Sequence, residues 1–352
     1  MAQAFAFHPT YDDPVETFRR AEQLVTEQAD AAAAQLYELC RSTPALEAVA
    51  LVRLAEIANR AGRALESRDL HAEAFRVEPR LTQRILPDDS PNFAYYYSRK
   101  NQVSVETCPL CGSAGEPHSA YNTTTNHDFI PGFEPIRLWM RCDGCHHLYA
   151  SEYPANLGAL LSGGCPEHHQ YPKADILPSL APIVGRLRQV SRGDRFLEVG
   201  VGAGELAALA LEFLFEVEGL DIRPAYAEAV RKRLGIPVSS LPFESFESST
   251  RYHVICMGDV IEHMVDPMSS LRKAKSLLEP NGILWVSTPN WESAFSRLIK
   301  DADPMWRVVE HLNYFSYRSL KSTLESLGLE VIDYRVSTHY FGSMEVTARI
   351  VT

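Results

Sequence analysis

The stretch Arg195-Phe-Leu-Glu-Val-Gly200-Val-Gly202-Ala-Gly204-Glu-Leu-Ala-Ala-Leu constrains the fold of this chain more than any other. An apolar run ends in three glycines at alternate positions and passes directly into a helical pattern, which reads as strand, tight turn and helix. Glycines at such a turn let the backbone bend sharply and approach a ligand with no Cβ in the way. Glu205 stands where a dinucleotide fingerprint has a further glycine. A carboxylate at a helix N-terminus would repel a pyrophosphate, so the predicted ligand lacks one. The next strand, FEVEGLD, ends at Asp221. That is about 20 residues beyond the first glycine, the place from which a carboxylate accepts hydrogen bonds from two ribose hydroxyls. Turn and carboxylate together predict a nucleoside site.

Downstream the pattern alternates: helix PAYAEAVRKRLG, strand YHVICMG, helix DPMSSLRKAKSLLEP, an Asn281-Gly282 turn, strand ILWVSTP and helix YRSLKSTLESLG. Regular βα units predict a mostly parallel sheet between helices. The closing runs LEVIDYRVS and SMEVTARIVT are expected to pair antiparallel at its edge. A lead-in helix is expected at LAPIVGRLRQV. Asp259, Glu262 and His263 follow the YHVICMG strand and read as a helix start, with Asp259 as N-cap. His263 in DVIEHM and His311 in VVEHLNYFS fall at the C-terminal edge of the sheet, where ligands enter open α/β folds. Histidine is the side chain best tuned to move a proton near neutrality.

Ahead of this segment stand Cys108-Pro-Leu-Cys111-Gly and Cys142-Asp-Gly-Cys145-His. Two thiolates separated by two residues grip one ion while the turn between them aims backbone N–H groups at sulfur, and four thiolates close a tetrahedral shell around a structural Zn2+. IRLWMRC reads as the strand entering the second knuckle, and His146 and His147 follow it. Cys40, Cys165 and Cys256 read as small core residues. A proline-punctuated connector then carries His168, His169 and Tyr171, which would cover the pocket.

Residues 14 to 86 read as four helices. Aligning Pro79 with the closing proline of a helix-turn-helix repeat of about 34 residues puts Leu51, Leu54, Ala55, Gly62, Ala74 and Phe75 at its packing positions. That resembles a tetratricopeptide unit, preceded by a degenerate copy ending near Pro44. The predicted division is 1–92 helical, 93–150 zinc ribbon and 151–352 α/β.

The segment from about 180 to the end resembles class I S-adenosylmethionine-dependent methyltransferases, particularly the ubiquinone-biosynthesis-like group. FLEVGVGAGEL, DVIEHMVDP, LLEPNGILWVSTPN and EHLNYFSYRSL carry the resemblance. With paired knuckles in front, the arrangement also resembles bacterial sugar C-methyltransferases. The implied fold is a Rossmann-like sheet and the implied cofactor S-adenosylmethionine. By resemblance Glu198 and Gly200 line the methionine end, Gly202 and Gly204 form the turn, Asp221 takes the ribose, and Met257 and Gly258 flank the cofactor. It further implies that Glu310 and His311 deprotonate an acceptor, with His263 on the substrate side. The alternative for His311 is a lid that packs over the cofactor.

The net charge of -11, with no Lys/Arg-rich block, argues against a nucleic-acid partner. No apolar run has the roughly 20 residues needed to span a bilayer, and no secretory leader is evident, so a cytoplasmic enzyme is expected. The expected acceptor is a small molecule, most naturally a sugar or nucleotide-linked sugar. A protein acceptor docked on the helices, and a retired fold that only binds, are the competing readings.

Overall fold

Proline and capping residues start the helical front end. Asp13 Oδ1 accepts from the Val15 N–H at 2.9 Å, and prolines open α1 (Pro14–Thr26) and α3 (Pro44–Arg60), where the missing N–H costs nothing. Between and after them run α2 (Asp30–Cys40), α4 (Ala64–Val77) and a short α5 (Thr82–Ile85). Gly62 turns between α3 and α4 at φ +73°. Leu51, Leu54, Ala55, Ala74 and Phe75 are all buried.

The computed structural model describes residues 13–163, 171–338 and 340–351. Cys165, His168 and His169 lie outside them. By contact the chain forms two units, Met1–Arg99 with Pro117–Leu138, and Lys100–Glu116 with Trp139–Thr352. This division differs from the three-part reading because it runs through the stretch between the knuckles. The strand over Ile136–Cys142 is crossed by it: Ile136 packs with Leu51, Phe75 and Leu81, whereas Cys142 packs with Leu110 and Tyr149.

Along the chain follow β1 (Gln102–Ser104), β2 (Gly115–Asn122), β3 (Ile136–Cys142), β4 (Leu148–Ala150), β5 (Glu152–Pro154), α6 (Leu157–Gly163) and α7 (Leu177–Val190). The α/β part then gives β6 (Arg195–Val199), α8 (Glu205–Glu212), β7 (Glu216–Leu220), α9 (Pro224–Leu234), β8 (Val238–Ser239), β9 (Tyr252–Gly258), α10 (Pro267–Leu277) and β10 (Leu278–Pro289). It closes with α11 (Ala294–Ile299), β11 (Asn313–Tyr314), α12 (Tyr317–Ser326), β12 (Leu329–Val336) and β13 (Ser343–Ile350).

Seven strands form one sheet in the order β12-β13-β10-β9-β6-β7-β8. Pairs among β6 to β10 are parallel, and β13 runs antiparallel to both β10 and β12. The edge hairpin is therefore as expected. Successive residues of the central strands alternate between two apolar cores, Leu197, Val199, Ile255 and Met257 on one face and Phe196, Val254 and Cys256 on the other. That is the pattern of a parallel sheet covered on both sides. Two short strands were not expected: β8 extends the sheet, and β11 leaves it to pair with β4 of the ribbon. Among the described residues no helix is long and apolar enough to cross a membrane.

Candidate active site and metal centre

After β6 the chain is held against the end of β7, with the Gly200 and Val201 N–H groups donating to the Leu220 carbonyl at 2.7 and 2.9 Å. All three glycines adopt left-handed backbone, Gly200 at φ +77°, Gly202 at +53° and Gly204 at +98°. Their surroundings differ. A Cβ on Gly200 would lie 2.6 Å from Val260 Cγ2 and one on Gly204 would lie 3.2 Å from Val230, but one on Gly202 would meet nothing within 4 Å. Gly202 is thus the position that opens the turn to a ligand.

Two buried carboxylates flank the turn. Glu198 is buried and its Oε2 finds no partner among the described residues. Burial, then Glu205 and Asp221, push its carboxyl well above the ordinary range. Asp221 is also buried, and accepts from Gly202 N–H at 3.1 Å and from three donors of Arg223: N–H and Nε at 2.9 and 2.8 Å, and Nη2 at 2.9 Å. The Arg223 guanidinium lies 3.8 Å over the Tyr226 ring. Arg223 escaped the sequence reading, where it looked like an ordinary residue ahead of Pro224. At the start of α8, Glu205 accepts from the Lys173 N–H at 2.8 Å, which brings the end of the connector to the turn. Tyr171 itself is exposed.

At the end of β9, Met257 is fully buried in the core and Gly258 packs under Trp285. Any contact from Met257 to a ligand is therefore confined to its backbone. Asp259 does not cap a helix, contrary to expectation. It sits at φ +52°, where Ser287 Oγ donates to its Oδ1 at 3.2 Å, and α10 is capped by Asp266, which accepts from Ser269 N–H at 2.8 Å. Burial, offset in part by Ser287, pushes the Asp259 carboxyl up to about 6.

Residues 261 to 263 form a single 3-10 turn instead. Glu262 is buried, takes a hydrogen bond from Thr288 Oγ1 at 3.0 Å on Oε2, and has no partner for Oε1. Burial and Asp259 hold it well above the ordinary carboxylate range, so it is a neutral acid. His263 Nδ1 lies 3.1 Å from the Glu310 carbonyl oxygen and 4.0 Å from its carboxylate. The His263 and His311 rings meet edge-on at 4.9 Å between centroids. Glu310 therefore engages His263 as well as neighbouring His311 in sequence, a pairing the motif alone did not reveal. Burial lowers the His263 pKa, and the Arg223 charge adds to this against the raising effect of Glu310.

The four knuckle sulfurs converge, all within 4.8 Å of one another, with Cys108 to Cys145 at 3.6 Å and Cys111 to Cys142 at 3.4 Å. Tetrahedral ligation at about 2.3 Å per bond puts sulfurs about 3.8 Å apart, so the cluster has the dimensions of a four-thiolate zinc shell. The two knuckles repeat one geometry. Gly112 N–H donates to Cys108 O and His146 N–H to Cys142 O, at 2.8 and 3.1 Å. Gly112 and His146 share left-handed backbone, φ +73° and +59°. His146 is exposed, but His147 is wholly buried, with Nε2 3.0 Å from Asn313 Oδ1 and a pKa lowered by burial to about 4.

Residues 167–334 match a family model described as a methyltransferase domain. Curated relatives include the ubiquinone biosynthesis O-methyltransferase of Bradyrhizobium diazoefficiens, 32% identical over 29% of this chain and 43% of that protein. The enzyme of the same name from Xanthomonas axonopodis is 26% identical over 45% of this chain and 72% of that protein. Against the first of these relatives the chain spans less than half of their length, 43% to 48%. Among solved structures, the N-methyltransferase NodS of Bradyrhizobium japonicum with S-adenosyl-L-homocysteine aligns at 13% identity and a TM-score of 0.43, covering 56% of this chain and all of that one. A likeness that weak says nothing about substrate. The family match and the curated relatives identify the C-terminal half as a class I S-adenosylmethionine-dependent methyltransferase domain.

Proposed function

We propose that the chain moves a methyl group from S-adenosylmethionine to a small-molecule acceptor. The observation that carries this reading is the pairing of Gly202, left-handed and open, with the buried Asp221 carboxylate that its own N–H contacts. A side-chain-free bend beside a fixed carboxylate suits a ribose, and Glu198 supplies a buried carboxyl for the cationic methionine end. When bound, the sulfonium supplies an activated methyl and a neutral thioether leaving group. The protein's task is then alignment, worth up to roughly 7 to 11 kcal/mol.

His263 is the acceptor-side base in this reading. Its Nδ1 faces a carbonyl oxygen, which only accepts, so Nδ1 carries the proton and Nε2 keeps its lone pair. Burial keeps the ring neutral at pH 7 and ready to take a proton. Glu310 orients it, and His311 packs beside it. Cys108, Cys111, Cys142 and Cys145 would hold one structural zinc, with no ligand position left for chemistry. Buried carboxyls with unmet hydrogen bonds cost stability, and their retention at Glu198 and Glu262 speaks for a working site over a retired one.

The knuckles ahead of the domain favour a sugar or nucleotide-linked sugar in the cytoplasm, whereas the relatives' names favour an oxygen acceptor. The test is calorimetry with S-adenosylhomocysteine, followed by transfer of label from S-adenosylmethionine into separate pools of nucleotide sugars, phenolic quinone precursors and peptides. We expect binding and labelling of one small-molecule pool. No heat with the product would overturn the reading.

A further inference from the structure

We propose that His147 and Asn313 are positioning residues, through which the four-cysteine ribbon holds the His263–His311 pair in place. The inference rests on reading those two histidines as the acceptor-side pair. It makes the ribbon a working part of the site, where the sequence offered only a stabilising role.

The segment carrying His311 is fixed to the ribbon at successive points. Trp139 Nε1 donates to the Trp306 carbonyl at 3.2 Å. Ala150 N–H donates to the Leu312 carbonyl at 2.8 Å. β11 pairs with β4, Asn313 opposite Tyr149 and Tyr314 opposite Leu148. The segment in turn holds the His263 turn from both sides: Leu312 N–H donates to the Glu262 carbonyl at 2.8 Å, and Asn313 Nδ2 to the Met264 carbonyl at 2.7 Å. Nothing else in the fold requires β11 to leave the large sheet for the ribbon.

Asn313 is the node between the two. Its Nδ2 is committed to the turn, so its Oδ1 must accept, and the His147 Nε2 at 3.0 Å must carry a proton. His147 Nδ1 is then an acceptor, buried and without a partner. The chain thus leaves one nitrogen unsatisfied to keep the other on Asn313, which is what a bond that specifies geometry looks like. Knuckle closure sets the ring's direction, because Cys142 N–H donates to the His147 carbonyl at 2.9 Å.

The test compares His147→Leu, which cannot donate, with His147→Gln, whose amide nitrogen reaches the Nε2 position. The full-length protein carries ring-labelled histidine, and the readouts are the His263 titration by NMR and S-adenosylhomocysteine affinity by calorimetry. Glu262, Arg223, Glu310 and His311 face His263 and are left intact. In His147→Leu the turn loosens, water reaches the ring and the His263 midpoint rises by about 0.5 pH unit or more towards 6.5. His147→Gln restores the wild-type midpoint, and both variants bind the cofactor product within about twofold of wild type. An unchanged midpoint in His147→Leu overturns the proposal, as does a His147→Gln variant that behaves like His147→Leu. Should His147→Leu not fold, Asn313→Ser, too short to span from His147 to Met264, carries the same comparison. Failure of the wild-type chain to bind the product would instead sink the methyltransferase reading, and the histidine comparison would still stand.

Discussion

Arg223 occupies both oxygens of Asp221, with its backbone N–H and Nε on Oδ1 and its Nη2 on Oδ2, while the Gly202 N–H takes a further place on Oδ2. A carboxylate offers about four lone-pair sites, so the protein's own donors fill this one. Two ribose hydroxyls can be accepted only if the guanidinium swings away. Removing it should therefore tighten S-adenosylhomocysteine binding. We expect Arg223→Ala to lower Kd about tenfold, or about 1.4 kcal/mol, and to melt lower because a buried carboxylate loses its partner. Calorimetry and a thermal melt check both, and weaker binding in Arg223→Ala would refute the displacement.

The glycines of the turn separate folding from binding. Alanine at Gly202 meets no atom but must hold φ +53°, whereas alanine at Gly200 must also push into Val260 at 2.6 Å. Left-handed backbone costs a residue with a Cβ about 1 to 2 kcal/mol. Gly200→Ala should thus lose more stability than Gly202→Ala. For cofactor-product affinity the order should reverse, because only the Gly202 methyl projects into the open turn. Denaturant melts and calorimetry on the two variants test the crossing.

Much of this was legible in the residues, and what was not has physical causes. Strands and helices from Arg195 onward follow the expected ranges because each strand is a long apolar run between glycine or proline punctuation. β11 was not legible, since two residues carry no period and its partner β4 lies far away in sequence. Asp259 looked like an N-cap because Asp before a helical pattern usually is, but the left-handed residue and 3-10 turn that follow displace the helix start to Asp266. Arg223 and His147 act through contacts in space, and no spacing rule marks them. The knuckles were legible because their ligands come as local pairs.

Opening the sulfur cluster should cost stability. Wild-type protein purified in zinc is expected to hold about one ion per chain, and Cys111→Ser, at an exposed ligand, to hold less. If the lost ligation is worth about 3 kcal/mol, the Tm falls by roughly 6 to 12 °C. Elemental analysis with a calorimetric melt decides it. An equal melt for wild type with and without a strong chelator would show that the thiols stand alone.

Glu198 makes cofactor binding depend on pH. Its folded pKa lies well above the ordinary value because burial and the neighbouring Glu205 and Asp221 disfavour the anion. The sign for stability follows: the contribution is fully present below the unfolded value of about 4.3 and is lost as pH rises through the folded one. Glu198→Gln should consequently melt higher than wild type at pH 8, and the difference should shrink towards pH 5. Binding works the other way. The ammonium of S-adenosylhomocysteine, set beside this carboxyl, favours the anion, so association should release a proton from a group that is neutral in the free protein. Calorimetry in phosphate and in Tris, whose ionisation heats differ, reads that proton directly, with up to about one released per molecule bound near neutrality. Glu198→Gln should abolish the buffer dependence and weaken affinity. Identical heats in the two buffers for wild type would mean that the methionine end lies elsewhere.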